Sequence, residues 1–415
     1  MNRRTYLVTA TAASLSLAGC TGSRDSKPRN GDDPESPSDG PSNDRPDGTE
    51  YPGAAGTADD FEALERWTVT GGRLTADPNR SVVGSQSGRI EVPEANQTAT
   101  LAKTFPEPRD LSAVSPGIAA ATNEMVVPWL HLIDDDGNRI THRHAVSGNL
   151  PLMRYDFGVD AVDSGFDATR VREVRLQVWT PDGESRTVWF DDLHFAPMPE
   201  TGRVMIQFDD CHVTDYTEAL PILEEYGYPA VTFVNSDYVD GGEVGGDTRL
   251  TTDHLRELRD AGWCVANHTE THPRLPDLSR AEQEAEIRDS KAWLEDRGFE
   301  DGAQYFAYPF GRFDATTIEL VDEYHAIGFA GGLPAHGHVA NTQLAPRIGD
   351  PDADRVRTAL ERTVELRGIT SIFFHRLEGD DLAAFETMVE TIHEYESRGD
   401  LEVILPADLE REFLY

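Results

Sequence analysis

The feature that most constrains this chain is an apolar run that ends in two adjacent carboxylates. Residues 203–208 read Arg-Val-Met-Ile-Gln-Phe and lead directly into Asp209 and Asp210. A short apolar run of this kind predicts a strand buried in a parallel sheet. Functional side chains of parallel α/β folds collect at the carboxyl ends of the strands. We therefore expect the pair to border a site, and the alternative is one more acidic turn in an acidic chain.

Helix-like and strand-like patterns alternate along residues 202–415. Apolar residues at helical spacing predict four helices: Thr217–Tyr226, Thr252–Ala261, Ser279–Arg297 and Asp380–Arg398. Short apolar runs predict further strands: Ala230–Val234, Trp263–His268, Tyr305–Tyr308, Ala326–Ala330, Ser371–Phe374 and Glu402–Leu405. Repeated βα units of this kind predict a parallel (β/α) barrel.

Residues 57–198 follow a different pattern. Short runs with a period of two are separated by Gly, Pro, Asp and Asn turns: Ser87–Val92, Thr98–Ala102, Val126–Ile133, Val174–Trp179 and Thr187–Phe190. The pattern predicts an antiparallel β-sandwich, and its order resembles the jelly-roll carbohydrate-binding modules. Four tryptophans either fill the core, which we favour, or stack on sugar rings: Trp67, Trp129, Trp179 and Trp189.

The first 56 residues predict export and a tether. Residues 1–20 combine two arginines, a short apolar stretch and small residues, which is typical of a secretory signal and too short for a membrane span. Arg3 and Arg4 resemble a twin-arginine signal, and Leu17–Cys20 resembles a lipobox in which Cys20 carries the lipid. Residues 21–56 are rich in Ser, Asp, Pro and Gly and predict a disordered linker. We therefore expect a protein anchored by lipid to the outer face of the cell membrane.

The charge of the chain excludes two classes of partner. The chain has 75 acidic and 37 basic residues and a net charge of -38, which opposes binding to nucleic acid and to anionic membrane surfaces. The lipid anchor would then be the sole membrane contact. Only three residues are lysine, and an acidic, lysine-poor surface suits a protein that works in high salt, where carboxylate repulsion is screened.

A pair of histidines follows another predicted strand. His268 and His272 lie four residues apart, and at that spacing they could share one face of a helical turn and bind one metal. With Asp210 they form a candidate set for a divalent metal, most suitably Zn²⁺, with Co²⁺, Ni²⁺ or Mn²⁺ as alternatives. The competing interpretation is that the histidines cap or fill a core.

The ordered motifs of this region resemble the polysaccharide deacetylase family, also called the NodB-homology or carbohydrate esterase family 4-like proteins. Four segments carry the resemblance: Gln207–Cys211 for T-F-D-D-G, His268–Pro273 for H-[ST]-x-x-H-P, Ala307–Gly311 for R-x-P-[YF]-G without its arginine, and Ser371–His375 for a strand ending in histidine. The resemblance covers residues 202–415 and implies a distorted (β/α) barrel.

The resemblance also implies a role for each motif residue. Asp209 would be the general base and His375 the general acid, while Asp210, His268 and His272 would bind the metal. The backbone N–H of Phe310 would stabilise the oxyanion. Three consecutive residues would contact the substrate: Tyr308, Pro309 and Phe310.

The chain departs from the family pattern at two positions. Ala307 stands where the family has an arginine that orients the catalytic aspartate, and we predict that Arg347 supplies this charge, with Arg312 as the alternative. Cys211 stands where the family has glycine. It could form a disulfide with Cys264, although two buried thiols are the interpretation that we favour.

The sequence thus predicts a metal-dependent hydrolase that removes N-acetyl groups from a cell-surface or extracellular polysaccharide, and so cleaves a linear amide. One alternative is an O-acetyl esterase of the xylan type. The other is a surface carbohydrate-binding protein whose barrel has lost activity.

Overall fold

The structure of the protein is a computed structural model that describes residues 54–415, which lie in one compact unit. Cys20, the predicted signal and all but the last residues of the predicted linker lie outside the described residues. Across residues 54–415, no helix is long and apolar enough to cross a membrane.

Twelve antiparallel strands form the first part of the unit. They are β1 (Gly56–Asp59), β2 (Thr68–Thr70), β3 (Arg73–Asp77), β4 (Ser87–Val92), β5 (Thr98–Arg109), β6 (Val114–Thr122), β7 (Trp129–Asp134), β8 (Arg139–Arg143), β9 (Met153–Asp156), β10 (Gly158–Val162), β11 (Val171–Trp179) and β12 (Arg186–Pro197). One sheet has the order β3-β4-β12-β6-β9 with β1 on β12, and the other has the order β10-β8-β7-β11-β5-β2. Apolar residues of both sheets share one core, which confirms the predicted sandwich.

The remaining strands begin with β13 (Gly202–Phe208) and β14 (Val231–Val234), followed by a small hairpin of β15 (Glu243–Val244) and β16 (Asp247–Thr248). They continue with β17 (Cys264–Asn267), β18 (Tyr305–Ala307), β19 (Ile327–Gly331), β20 (Ala345–Gly349), β21 (Ile369–Phe374) and β22 (Leu401–Val403). Seven parallel strands have the order β14-β17-β18-β19-β20-β21-β13, and pairing of β14 with β13 closes the barrel. The predicted barrel is confirmed.

Seven helices surround the barrel: α1 (Leu220–Tyr226), α2 (Thr252–Asp260), α3 (Arg280–Glu295), α4 (Ala315–Tyr324), α5 (Ala353–Leu366), α6 (Gly379–Glu396) and α7 (Pro406–Glu412). The four predicted helices are present within a few residues of their expected ends. The first of them opens with a π-helical turn over Asp215–Ala219. At α2 the side chain of Thr251 accepts a hydrogen bond from the backbone N–H of His254, as expected for an N-cap.

The connection from β19 to β20 contains no helix, and it packs against the sandwich instead. The carboxylate of Asp156 accepts hydrogen bonds from the backbone N–H groups of Ala340 and Asn341, at 2.8 and 3.3 Å. The Asn341 side chain returns a hydrogen bond to the carbonyl of Arg154 at 2.8 Å. Since these contacts satisfy buried backbone groups of the barrel, the sandwich completes the outer layer of the barrel at this point.

Candidate active site

The carboxyl ends of the barrel strands bring the predicted site residues together. Asp209 and Asp210 follow β13, His268 follows β17, and His375 follows β21. These three strands are neighbours or near neighbours in the closed barrel, so their ends open on the same rim. The convergence of distant residues on one site was the central prediction from the sequence.

Asp210, His268 and His272 form a compact set of possible metal ligands. Oδ1 of Asp210 lies 3.4 Å from Nε2 of His268 and 3.2 Å from Nε2 of His272, and the three atoms lie within 4.8 Å of one another. The same Oδ1 is buried and accepts no hydrogen bond from any described residue. A buried carboxylate oxygen without a donor, facing two imidazole nitrogens, fits a divalent cation of the Zn²⁺ type.

The surroundings of His268 fix which ring nitrogen faces the other ligands. Its Nδ1 lies 2.7 Å from the carbonyl oxygen of Ala307. A carbonyl can only accept, so Nδ1 carries the proton and the lone pair of Nε2 points toward Asp210. This is the orientation that a metal ligand requires, and it gives the backbone of Ala307 a supporting role.

The two histidines do not lie on a helical turn, which corrects one expectation from their spacing. The segment is a loop with left-handed backbone at Thr269 (φ 73°) and His272 (φ 57°). The hydroxyl of Thr269 accepts a hydrogen bond from the backbone N–H of His272 at 3.1 Å. The loop therefore brings the rings together with a reversal of the chain rather than with helical spacing.

Backbone strain is concentrated around the site. Twelve non-glycine residues among residues 54–415 have positive φ, and half of them lie in the rim loops: Asp210, Cys211, Thr269, His272, Phe310 and Asp350. Nη1 of Arg249 donates to the carbonyl of Asp210 at 2.8 Å and so supports the turn at Asp210 and Cys211. Strained backbone persists only where the surrounding structure holds it in place, and it is common at functional sites.

Asp209 lies beside the ligand set, with its Oδ2 3.8 Å from Nε2 of His268, and pairs with Arg347. The two side chains form a bidentate ion pair with N–O distances of 2.8 and 2.7 Å, and each is about 3% exposed. Burial alone would raise the pKa of Asp209, but the charges of Arg347, His268 and His375 and the hydrogen bond from Arg347 together lower the pKa below its usual value. Arg347 thus lies where the sequence analysis placed it, and its effect on activity stays a prediction.

His375 has a carboxylate partner that the sequence analysis missed. Nδ1 of His375 lies 2.7 Å from Oδ2 of Asp350, and Oδ1 of Asp350 accepts the backbone N–H of His375 at 3.2 Å. Burial lowers the pKa of His375, but this hydrogen bond and the charges of Asp209 and Asp350 raise it to about 9. The imidazole is therefore held in its protonated, proton-donating form at neutral pH.

The structure corrects part of the predicted substrate-binding segment. Tyr308 is fully buried and its hydroxyl donates to the carbonyl of Gln343 at 2.8 Å, so its side chain packs in the core and does not line a cleft. Pro309 is also buried. Phe310 remains a candidate, because its ring is 56% exposed and lies 4.4 Å from the ring of His272.

Both cysteines of the barrel are free thiols, so the alternative of a disulfide is wrong. Burial raises the pKa of each of them, Cys211 and Cys264, to about 12. They are therefore protonated, apolar side chains, and neither belongs to the candidate ligand set.

Comparisons with known proteins find similarity to polysaccharide deacetylases. A protein described as putative polysaccharide deacetylase YxkH, from Bacillus subtilis, is 30% identical over 125 residues, which are 30% of this chain and 43% of that protein. The poly-beta-1,6-N-acetyl-D-glucosamine N-deacetylase of Staphylococcus epidermidis is 26% identical over 163 residues, which are 37% of this chain and 52% of that protein. The chain thus spans about half the length of these curated relatives.

Among solved structures, a family 4 carbohydrate esterase from Streptomyces lividans in complex with acetate aligns with a TM-score of 0.36 and 20% identity. The alignment covers 49% of this chain and 92% of that one. The family model for polysaccharide deacetylase matches residues 197–327, which run from the end of the sandwich through β18 and α4. In this first part of the barrel, the chain is similar to the polysaccharide deacetylase family.

Proposed function

We propose that the protein is a metal-dependent hydrolase that removes N-acetyl groups from an extracellular polysaccharide. The arrangement of two adjacent aspartates carries the proposal. Asp210 faces two imidazoles, whereas Asp209 lies beside them, 3.8 Å from Nε2 of His268, and is held ionised in an ion pair with Arg347. Asp210 can therefore bind a cation while Asp209 accepts a proton from water. Hydrolysis of an amide needs both functions.

A divalent ion held by Asp210, His268 and His272 would supply Lewis-acid polarisation of the acyl oxygen and of a water molecule. The side chains around the ligand set would do the rest. Asp209 would accept a proton from the attacking water, since its pKa is low and it stays ionised. His375 would donate a proton to the departing nitrogen. The backbone N–H of Phe310 would stabilise the negative charge on the acyl oxygen.

Two observations favour an amide substrate over an ester. An amine leaves poorly unless it is protonated, and His375 with its partner Asp350 is built to stay protonated. In addition, the relative from Staphylococcus epidermidis is named as an N-deacetylase of an N-acetyl-D-glucosamine polymer. We therefore infer an N-acetylated hexosamine polymer as the substrate class.

We also propose that the enzyme works outside the cell, tied to the outer face of the membrane through Cys20. The support is the pattern of residues 1–20 together with the size of the substrate, since a polysaccharide of this class lies outside the membrane. The acidic, lysine-poor composition supports work in high salt.

Acetate release from a panel of N-acetylated and O-acetylated glycans tests the function. We expect the Zn²⁺-loaded protein to release acetate from N-acetylglucosamine oligomers, to lose activity with a chelator and to regain it when metal is added back. Faster release from O-acetylated xylan than from the amide would favour the esterase alternative. A protein that binds metal and releases no acetate from any glycan would contradict the proposal.

Asp350→Asn is expected to move the loss of activity at high pH to a lower pH. Protonated His375 is the acid in the proposed reaction, so activity falls as the pH rises through its pKa. Removal of the Asp350 charge lowers that pKa from about 9 toward the ordinary value of histidine. The dependence of kcat on pH measures the shift. If kcat falls at the same high pH in the variant as in the parent protein, Asp350 is not the group that raises the pKa of His375.

A further inference from the structure

The tryptophans of the sandwich lie in three different environments. Trp67 is 5% exposed and stacks on Phe61, so it belongs to the core as expected. The ring of Trp189 is covered by the guanidinium of Arg80 at 4.1 Å, and its Nε1–H donates to Asp77 at 2.8 Å. The other two, Trp129 and Trp179, lie outside the core: Trp129 is half-buried with the guanidinium of Arg143 5.9 Å from its ring centre, and Trp179 is exposed.

Strand register places Trp129 and Trp179 on the outer surface of the second sheet. Gln177 of β11 lies opposite Trp129 of β7, and Trp179 is two residues beyond Gln177 on the same face. On the other side of β7, Arg143 of β8 lies opposite Trp129. We call Trp129, Arg143, Gln177 and Trp179 the tryptophan face.

The opposite side of the same strands is apolar and buried. Val178, which alternates with Gln177 and Trp179, is fully buried, as is Leu130 beside Trp129. These apolar side chains fill the core of the sandwich. The indoles of Trp129 and Trp179 lie on the other side of the sheet and are not needed to fill it.

The exposure of Trp179 has no structural explanation within the sandwich. Its side chain is 48% exposed, and Phe310 at the candidate active site is the other large aromatic side chain that residues 54–415 leave exposed. The indoles of Trp129 and Trp179 lie 6.1 Å apart with their planes at 46°. Exposed aromatic surface with polar neighbours is typical of a binding site, because the ring is apolar and the edge can donate.

The charges on this face indicate which ligand it fits. Arg143 is paired with Asp160 at 2.6 Å, and Arg175, two residues before Gln177 in the same strand, is paired with Glu173 at 2.6 Å. The face is therefore close to neutral, although the chain as a whole has a net charge of -38. A polyanion would meet no free positive charge here and a cationic partner no free negative charge, so an uncharged ligand is the best match.

We propose that the tryptophan face binds a strand of neutral glycan. The C–H faces of successive pyranose rings would stack on the two tilted indoles, while Gln177 and Arg143 would hydrogen-bond to hydroxyl or acetamido groups. That the strand is the acetylated polymer on which the barrel acts rests on the proposed function. Because the sandwich and the barrel belong to one unit, binding here raises the concentration of the polymer at the active site.

Binding to insoluble chitin in molar salt tests the proposal. The Asp209→Asn protein serves as the parent, so that the polymer is not consumed during the measurement. We expect Trp179→Ala to weaken binding about tenfold and Gln177→Ala to weaken it less, as loss of one stacking contact predicts. Trp189→Phe is the matched control, since Arg80 covers that ring, and it should bind like the parent.

Three outcomes would overturn the proposal. The parent protein does not bind chitin, or the Trp179→Ala variant binds chitin as well as the parent does. The third outcome is that the parent sediments as a dimer and the Trp179→Ala variant as a monomer. The last would make the face an interface between two copies. With Asp209 restored, Trp179→Ala should release acetate from insoluble chitin more slowly than the parent protein, whereas Trp189→Phe should release it at the parent rate. If no variant releases acetate yet Trp179→Ala still loses chitin binding, the proposed function fails and the binding face stands.

Discussion

Asp209→Asn is expected to lower kcat by about a hundredfold to ten-thousandfold while the protein stays folded, with a reduced free energy of unfolding, and keeps its metal. Asparagine has the shape of aspartate, and its carbonyl oxygen can still accept a hydrogen bond from Arg347. It cannot take a proton from water, which is the role that we assign to the carboxylate. Acetate release from an N-acetylglucosamine oligomer measures the loss, and the metal content of the purified variant shows that the ligand set is intact.

A second variant separates this effect from loss of the metal. His272→Ala removes one of the three facing ligand atoms, so it should lose both metal and activity. Asp209→Asn should lose activity alone. An Asp209→Asn protein that retains more than about a tenth of kcat would assign the base to another residue.

The parts of the site that the sequence predicted share one physical property. Each of Asp209, His268 and His375 directly follows an apolar run, and the strands of a parallel barrel end on the same rim. A local pattern along the chain was therefore sufficient to predict a contact in space. The arginine partner of Asp209 was predicted for the same reason, since Arg347 lies near the end of a strand.

The parts that the sequence did not reveal depend on contacts that no local pattern encodes. Asp350 follows β20, the same strand that contains Arg347, but the proline and arginine interrupt its apolar run, and no local pattern indicates that Asp350 would be the partner of His375. Tyr308 has both an apolar ring and a hydroxyl, and its burial depends on tertiary contacts: the ring packs on Phe306 and Phe313, and the hydroxyl donates to the carbonyl of Gln343. The helix-free connection before β20 depends on the sandwich that covers it.

Arg347→Met is the second change with a large expected effect, and it should destabilise the protein as well as inactivate it. The ion pair with Asp209 is buried on both sides, and removal of one partner of such a pair costs about 3–5 kcal/mol. Without the guanidinium, burial raises the pKa of Asp209. Activity that requires ionised Asp209 should then appear only at higher pH than in the parent.

Adding Ala307→Arg to Arg347→Met would test whether an arginine at position 307 can replace Arg347 as the positively charged partner of Asp209. Ala307 is fully buried in the same apolar cluster as Phe233, whose ring lies 5.6 Å from the guanidinium of Arg347. An arginine introduced by Ala307→Arg would thus enter the region that Arg347→Met leaves empty. The double variant should recover part of the free energy of unfolding and shift the pH profile back toward the parent. In the parent background, Ala307→Arg alone should be harmful, because two arginines would compete for one carboxylate and one space. A double variant no better than Arg347→Met in both urea unfolding and pH profile would mean that the position of the guanidinium, and not only its charge, is fixed by β20.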